Sequence, residues 1–372
     1  MTKGDNKKEI SSFKWSPSGQ HIAFISSDEK SADQEAREKE TVDARVYGES
    51  WEYNRLRLLH LGTREVATLV IANVHVTDFA WSGDSKEIAY VTQKTPDINS
   101  AGYNGVQFSR VSLASKKNEV IGEKRFPGPA HDLAWSGGDL FFLAGAAPNM
   151  SNTSSCVYKL LLVSGAWEKY AHGDVDCVYS LRSIAWNTRR AIVLHVLAGL
   201  NDRITLIRFE DSKDQAISPH SNHELETWDA AIGPTPNENT IQVVGYSTAS
   251  KPTEIYLFRK TNFCQLSNNG QAVAKFNIGE AGPLHCKASD GAPCDGVFVR
   301  PTNAEKGQTT TDSRTYTRWA LFPNQCLLQS PLLLLGPHAS LSGLPRPLSQ
   351  LPRWQWVWGG LRFTSTRCNG NK

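Results

Sequence analysis

The stretch FKWSPSGQHIAFIS (Phe13–Ser26) returns along the chain as FAWSGDSKEIAYVT (Phe79–Thr92), LAWSGGDLFFLAG (Leu133–Gly145) and IAWNTRRAIVLHV (Ile184–Val196), with a fifth, worn copy in AAIGPTPNENTIQVVGYS (Ala230–Ser247). The anchor tryptophans Trp15, Trp81, Trp135 and Trp186 lie 66, 54 and 51 residues apart. Each phrase reads as a strand ending in an aromatic, a tight turn of Ser, Pro, Gly, Asn or Asp, and a second strand of apolar residues. Ile22, Phe24 and Ser26 alternate with Ala23 and Ile25, so both faces of that strand are largely apolar. Such a strand belongs to a sheet covered on both sides.

Between the anchors sits a second hairpin: RLRLLHLGTREVATLV (Arg55–Val70), FSRVSLASKKNEVIG (Phe108–Gly122), CVYKLLLVSGAWEKYA (Cys156–Ala171) and TEIYLFRKTNFCQLS (Thr253–Ser267). Every unit thus supplies four strands, and a four-stranded sheet cannot bury two apolar faces alone. Stacking such sheets radially is the β-propeller solution. The fold class expected is all-β, a propeller of about five recognisable four-stranded blades over residues 1–275, as an incomplete seven-bladed ring. The wide first spacing needs an insertion, supplied by Asp28–Leu56, where Glu35–Glu40 has the composition of a short helix on a solvated rim loop. Thr2, Lys3 and Gly4 precede Trp15 much as His172 and Gly173 precede Trp186, which places Met1 at the end of a preceding blade.

The chain's 372 residues are 40% apolar and 21% charged, an ordinary globular composition with a formal net charge of only +3. No broad basic field is available for nucleic acid, and the longest apolar run, Pro331–Leu335, is far too short to span a bilayer. The start MTKGDNKKEI is neither a secretory signal nor an anchor, so a cytoplasmic location is expected. Seven scattered cysteines without a C-x-x-C pair fit reduced thiols used as small core residues. No cofactor is expected. His220, His223 and Glu224 make a weak metal pattern, better explained as a solvated turn, and the acceptor sequences at Asn149 and Asn152 carry no weight without a signal peptide.

Charge is unevenly spread. Of the 40 Lys and Arg and 37 Asp and Glu, seven and one fall in residues 309–372, leaving 33 and 36 before them. That tail is rich in Leu, Pro and Trp and shows no sustained period, so it is expected to be disordered. Before it, CKASDGAPCDGVFVRPTNAEKGQ (Cys286–Gln308) changes character. Asp290-Gly291 reads as a turn between two strands, the second being Gly296–Arg300. Residues 276–308 are therefore expected to be a linker and first hairpin leading to a further domain.

The W-S-P-x-G phrase, VYGESWEYNRL (Val46–Leu56) and the exit strand in ASDG…GVFVRP (Ala288–Pro301) together resemble the prolyl oligopeptidase family of serine peptidases. The nearest branch is that of dipeptidyl-peptidase V and acylaminoacyl-peptidase-like enzymes. The resemblance covers Ser11 to Gln308. It implies a propeller that caps an α/β-hydrolase domain and filters short peptides, with a Ser-Asp-His triad and an oxyanion hole in the hydrolase domain, water as co-substrate and no metal or organic cofactor. Those catalytic motifs are absent from this sequence. GYSTA (Gly245–Ala249) lacks the second Gly of a nucleophile elbow, and His338 has no Ser or Asp in a credible frame, so no catalytic, cofactor-binding or metal residue is assigned. Suitable codons for Tyr316–Leu321, read one base later, give I-H-G-G-P, and the same offset across Gln350–Gly360 gives N-Y-R-G-G-S-G-Y-G-E; both are phrases of that family. The tail is therefore expected to be the hydrolase domain read out of frame, and the chain to lack hydrolytic activity. The other class of function weighed is a stand-alone TolB-type propeller serving as a protein-binding platform.

Overall fold

The computed structural model describes residues 9–29, 35–36, 39–40, 47–48, 51–122, 124–148, 150, 153–174, 176–186, 189–208, 214–216, 227–231, 243–248, 251–259, 262–273, 275–276, 279–291, 293–300 and 315–316. Five four-stranded antiparallel sheets follow one another, each a meander in sequence order. The first holds β1 (Ile10–Trp15), β2 (His21–Ser27), β3 (Asn54–His60) and β4 (Val66–Thr68). The second holds β5 (His75–Trp81), β6 (Glu87–Gln93), β7 (Gln107–Ser112) and β8 (Asn118–Val120), with a short helix α1 (Ser100–Asn104) between β6 and β7. The third holds β9 (Ala130–Ser136), β10 (Asp139–Gly145), β11 (Ser155–Leu161) and β12 (Trp167–Ala171). The fourth holds β13 (Cys177–Trp186), β14 (Arg189–Ala198), β15 (Asn201–Arg208) and β16 (Asp214–Ala216). The fifth holds β17 (Thr227–Ala231), β18 (Val243–Thr248), β19 (Lys251–Arg259) and β20 (Asn262–Gln265). A last, three-stranded sheet comprises β21 (Glu280–Lys287), β22 (Pro293–Arg300) and β23 (Thr315–Tyr316).

The period-2 pattern does what the sequence implies. In β6, Ile88 and Tyr90 pack against the first sheet, whereas Ala89 and Val91 pack against the third. In β10, Leu140, Phe142 and Ala144 face the second sheet, and Phe141 and Leu143 face the fourth. Three apolar clusters result, one at each joint between consecutive sheets from the first to the fourth. The middle joint is aromatic: Phe142 meets Phe126 edge-on at 5.0 Å, lies 4.7 Å from Phe108 and stacks on Tyr158 at 5.4 Å. Backbones touch there too. A Cβ on Gly122 would stand 2.7 Å from the carbonyl oxygen of Gly165, so only glycine fits.

The W-S phrase has a local cause. The hydroxyl of Ser16 accepts the His21 N–H at 3.1 Å, and that of Ser82 accepts the Glu87 N–H at 2.9 Å, closing the turn after the tryptophan. The turn needs a left-handed residue three positions after the serine, which is Gly19 in the first unit and Ser85 in the second.

The expected all-β, propeller-like arrangement of four-stranded sheets is thus present. Strands β15 and β16 supply the second hairpin that the four-strand repeat requires of the fourth unit. The insertion contains a helical turn, with the Glu40 N–H bonded to the Ala36 carbonyl at 3.0 Å. The exit hairpin β21–β22 turns at Asp290-Gly291 as expected. Thr315 and Tyr316 pair with Phe298 and Val297, so two residues of the stretch expected to be disordered lie in a strand. The rest of 309–372 lies outside the described residues. Met1–Lys8, Asn149, Asn152, His220, His223, Glu224 and His338 lie outside them as well.

Phe142 is fully buried, so Phe142→Ala is expected to cost about 3–5 kcal/mol in denaturant unfolding. Val163→Ala, at a fully exposed turn position, should stay within about 0.5 kcal/mol. A loss below about 1 kcal/mol for Phe142→Ala would contradict the aromatic joint.

Candidate functional site

The inner strands β1, β5, β9 and β13 of successive sheets lie near one another, β5 and β13 each against β9. Each of these strands is irregular in its pairing, with register shifts between Ile10 and Ser12, between Val76 and Asp78, opposite Phe141 and Leu143, and between Val178 and Ser180. A bulge re-aims a side chain, and here it presents carboxylates to the next sheet. Asp78 accepts the N–H of Leu133 in β9 at 2.6 Å and its own neighbour's N–H, Phe79, at 2.7 Å. Asp132, at φ 52°, repeats the device by accepting the Leu181 N–H of β13 at 3.0 Å. Lys14 of β1 completes the node: its Nζ is 3.1 Å from Asp78 Oδ1, donates to the carbonyls of Phe79 and Leu133, and sits 5.1 Å from the centroid of the Phe79 ring. Three sheets are tied at one point.

Burial works against ionising Asp132, but the His131 side chain, the Leu181 N–H and Lys14 outweigh it and hold the carboxyl below its ordinary range. Asp176 is similar: burial raises it, while His172 at 2.8 Å, the Gly173 N–H and Arg203 at 3.0 Å bring it below the usual value. Both acids therefore contribute stability above the unfolded carboxylate pKa, which is lost as pH falls through the lowered folded value.

Around the node opens a cavity of about 880 Å³, lined by the ends of the inner strands and the turns that follow them. Trp15, Trp81 and Trp135 all border it, with Lys14 and Arg182 as cations and Asp84 and Glu87 as anions. Asp84 is held below the usual carboxylate range by the Ser82 hydroxyl and the Lys86 N–H. Trp81 is buried, 8% exposed, and its Nε1 donates to the Lys14 carbonyl of the preceding sheet at 3.0 Å. Trp15 holds the same position in the first repeat and is 56% exposed, beside Phe13 at 63%. Among the described residues, neither His nor Cys lines the cavity, which is edged by indoles, serine hydroxyls and charges of both signs.

No catalytic residue was assigned from the sequence. Of GYSTA, Gly245–Thr248 lie within β18, with Ser247 opposite Thr227 in a strand pair and not at a strand–helix elbow. Among the described residues, no group of three or more His, Cys, Asp or Glu is placed to hold a metal ion, and no helix is long and apolar enough to cross a membrane. Cys156 and Cys264 are free thiols. The sequence reading missed Asp78 and Asp132. Their signal was an Asp three residues before the anchor Trp, in DFAW and DLAW, where the other two units carry Ser12 and Ser183.

No family model and no curated protein matches the chain. Solved structures do. Dipeptidyl peptidase 4 of Porphyromonas gingivalis aligns over 79% of this chain and 42% of its own at 13% identity, with a TM-score of 0.50. A puromycin-hydrolysing peptidase of Mycobacterium tuberculosis aligns over 81% and 45% at 12% identity, TM-score 0.51. A structure from a study of two prolyl endopeptidases aligns over 80% and 40% at 10% identity, TM-score 0.51. The chain shares its fold with these peptidases. It spans less than half the length of each.

Asp78→Ala removes an ionised acceptor that serves two backbone N–H groups and Lys14. It is expected to cost about 1.5–3 kcal/mol in equilibrium unfolding. A loss under about 0.5 kcal/mol would show that the node contributes nothing to joining the sheets.

Proposed function

We propose that this chain is the propeller portion of a serine peptidase of the prolyl oligopeptidase family, of the dipeptidyl-peptidase V or acylaminoacyl-peptidase-like kind, and that it admits short peptides to a hydrolase domain. The observation that carries the reading is the shared fold over about four-fifths of this chain, with less than half of each peptidase covered. The cavity supports it: three tryptophans accept side chains of many shapes, and opposed charges receive the two ends of a short peptide. The exposed Trp15 and Phe13 support a further sheet in the complete ring, since the equivalent Trp81 is covered by the sheet before it. The exit hairpin β21–β22 then leads from the ring to the hydrolase domain. Within this reading the complete enzyme works in the cytoplasm on peptides and water, without a metal or organic cofactor.

The sequence carries no G-x-S-x-G elbow, and loss of a triad lowers turnover by a factor on the order of 10⁶. The purified chain is therefore inactive, and its role is binding. Short unblocked peptides should quench or shift its tryptophan fluorescence, Trp135→Phe should weaken that response, and a fluorophosphonate probe should leave the chain unlabelled. Labelling of the intact chain would refute the missing catalytic half. A fluorescence response to folded proteins but not to short peptides would favour the binding-platform function instead.

A further inference from the structure

We propose that Cys286 and Cys294 form a reversible disulfide that staples the β21–β22 hairpin. The two residues are direct partners across the antiparallel pair. Residues so placed project to the same face with Cα atoms about 4.5–5.5 Å apart, within the span of about 4.4–6.8 Å that a disulfide bridges. The Cys286 side chain already leans onto the opposite strand, with its Sγ 3.5 Å from the Cys294 carbonyl oxygen. Cys286 is exposed and Cys294 half-buried, so a small oxidant reaches them.

The register that opposes the sulfurs is held on both sides. At one end the Gly291 N–H closes the turn onto the Ala288 carbonyl at 2.9 Å, with Gly291 at φ 87°. At the next rung, His285 Nδ1 and Asp295 Oδ1 meet at 2.8 Å across the same two strands. Cys156 and Cys264 lack this arrangement. Cys156 is fully buried and its thiol is pushed up by that burial, which keeps it protonated and inert. Cys264 faces Leu257 across its strand pair.

The oxidant is a low-molecular-weight disulfide such as oxidised glutathione. The thiolate of one cysteine attacks the oxidant's S–S bond, forming a mixed disulfide and releasing one glutathione thiolate, which takes up the proton given up by the cysteine. The second cysteine then attacks the protein-bound sulfur of the mixed disulfide, forming the Cys286–Cys294 bond and releasing the second glutathione. The protein loses two electrons and two protons, and the oxidant becomes two thiols. Because the pair is local to one hairpin, the proposal does not depend on the peptidase reading.

The test is to fully reduce the folded chain, expose it to oxidised glutathione, quench with N-ethylmaleimide and map the cysteine peptides by mass spectrometry. The expected result is a peptide or linked pair holding Cys286 and Cys294 that is lighter by two hydrogens and unalkylated. In Cys294→Ser, Cys286 should instead retain a glutathione adduct that is only transient in the unaltered chain. Finding Cys286 and Cys294 each alkylated, each bearing a lasting glutathione, or each bonded to a different cysteine would overturn the proposal.

Discussion

A strand with two apolar faces has no stable existence at a sheet surface, and the architecture follows from that constraint. Every residue of β10 from Leu140 to Ala144 is buried, with alternate side chains entering different joints. Burying one face against a neighbour leaves the other bare, so each sheet calls for a neighbour on both sides. Chain connectivity meets that demand in the simplest way, with one meander stacked on the next. The apolar joints give the energy, at roughly 25 cal/mol for each Å² removed from water. They do not specify which strand ends meet at the centre. That is the task of Lys14, Asp78 and Asp132, whose directional bonds fix inner strands from successive sheets.

How much of this was legible differs by interaction. The Trp anchors, the Ser-closed turns and the alternation in Ile22–Ser26 are local patterns, and each predicted its hairpin. The second hairpin of the fourth unit was expected from the repeat but not located, although NDRITLIR (Asn201–Arg208) alternates, because it follows β14 after a turn of only Gly199 and Leu200. The carboxylate node was invisible for a different reason. Asp78 and Leu133 are partners only because two sheets pack, and a lone Asp ahead of an aromatic strand otherwise reads as a turn residue. The cavity likewise exists only where four units meet, though its tryptophans were the most evident residues of the sequence.

The same geometry bears on function. The cavity is edged by tryptophans and by charges of both signs, with the Ser82 hydroxyl donating to Asp84 at 2.7 Å. The chain shares its fold with peptidases of which it spans less than half. The two aspartates join successive sheets at the rim of this cavity.

The central claim is that a sheet of this chain is held by neighbours on both faces. Strand β1 occupies the same inner position as β5 and β9, yet its Phe13 and Trp15 stay exposed while Phe79 and Trp81 of β5 are buried. Amide hydrogen exchange of the intact chain, read by mass spectrometry over these three strands, measures the difference directly. The account predicts that β1 exchanges well before β5 and β9; equal protection of all three would contradict it.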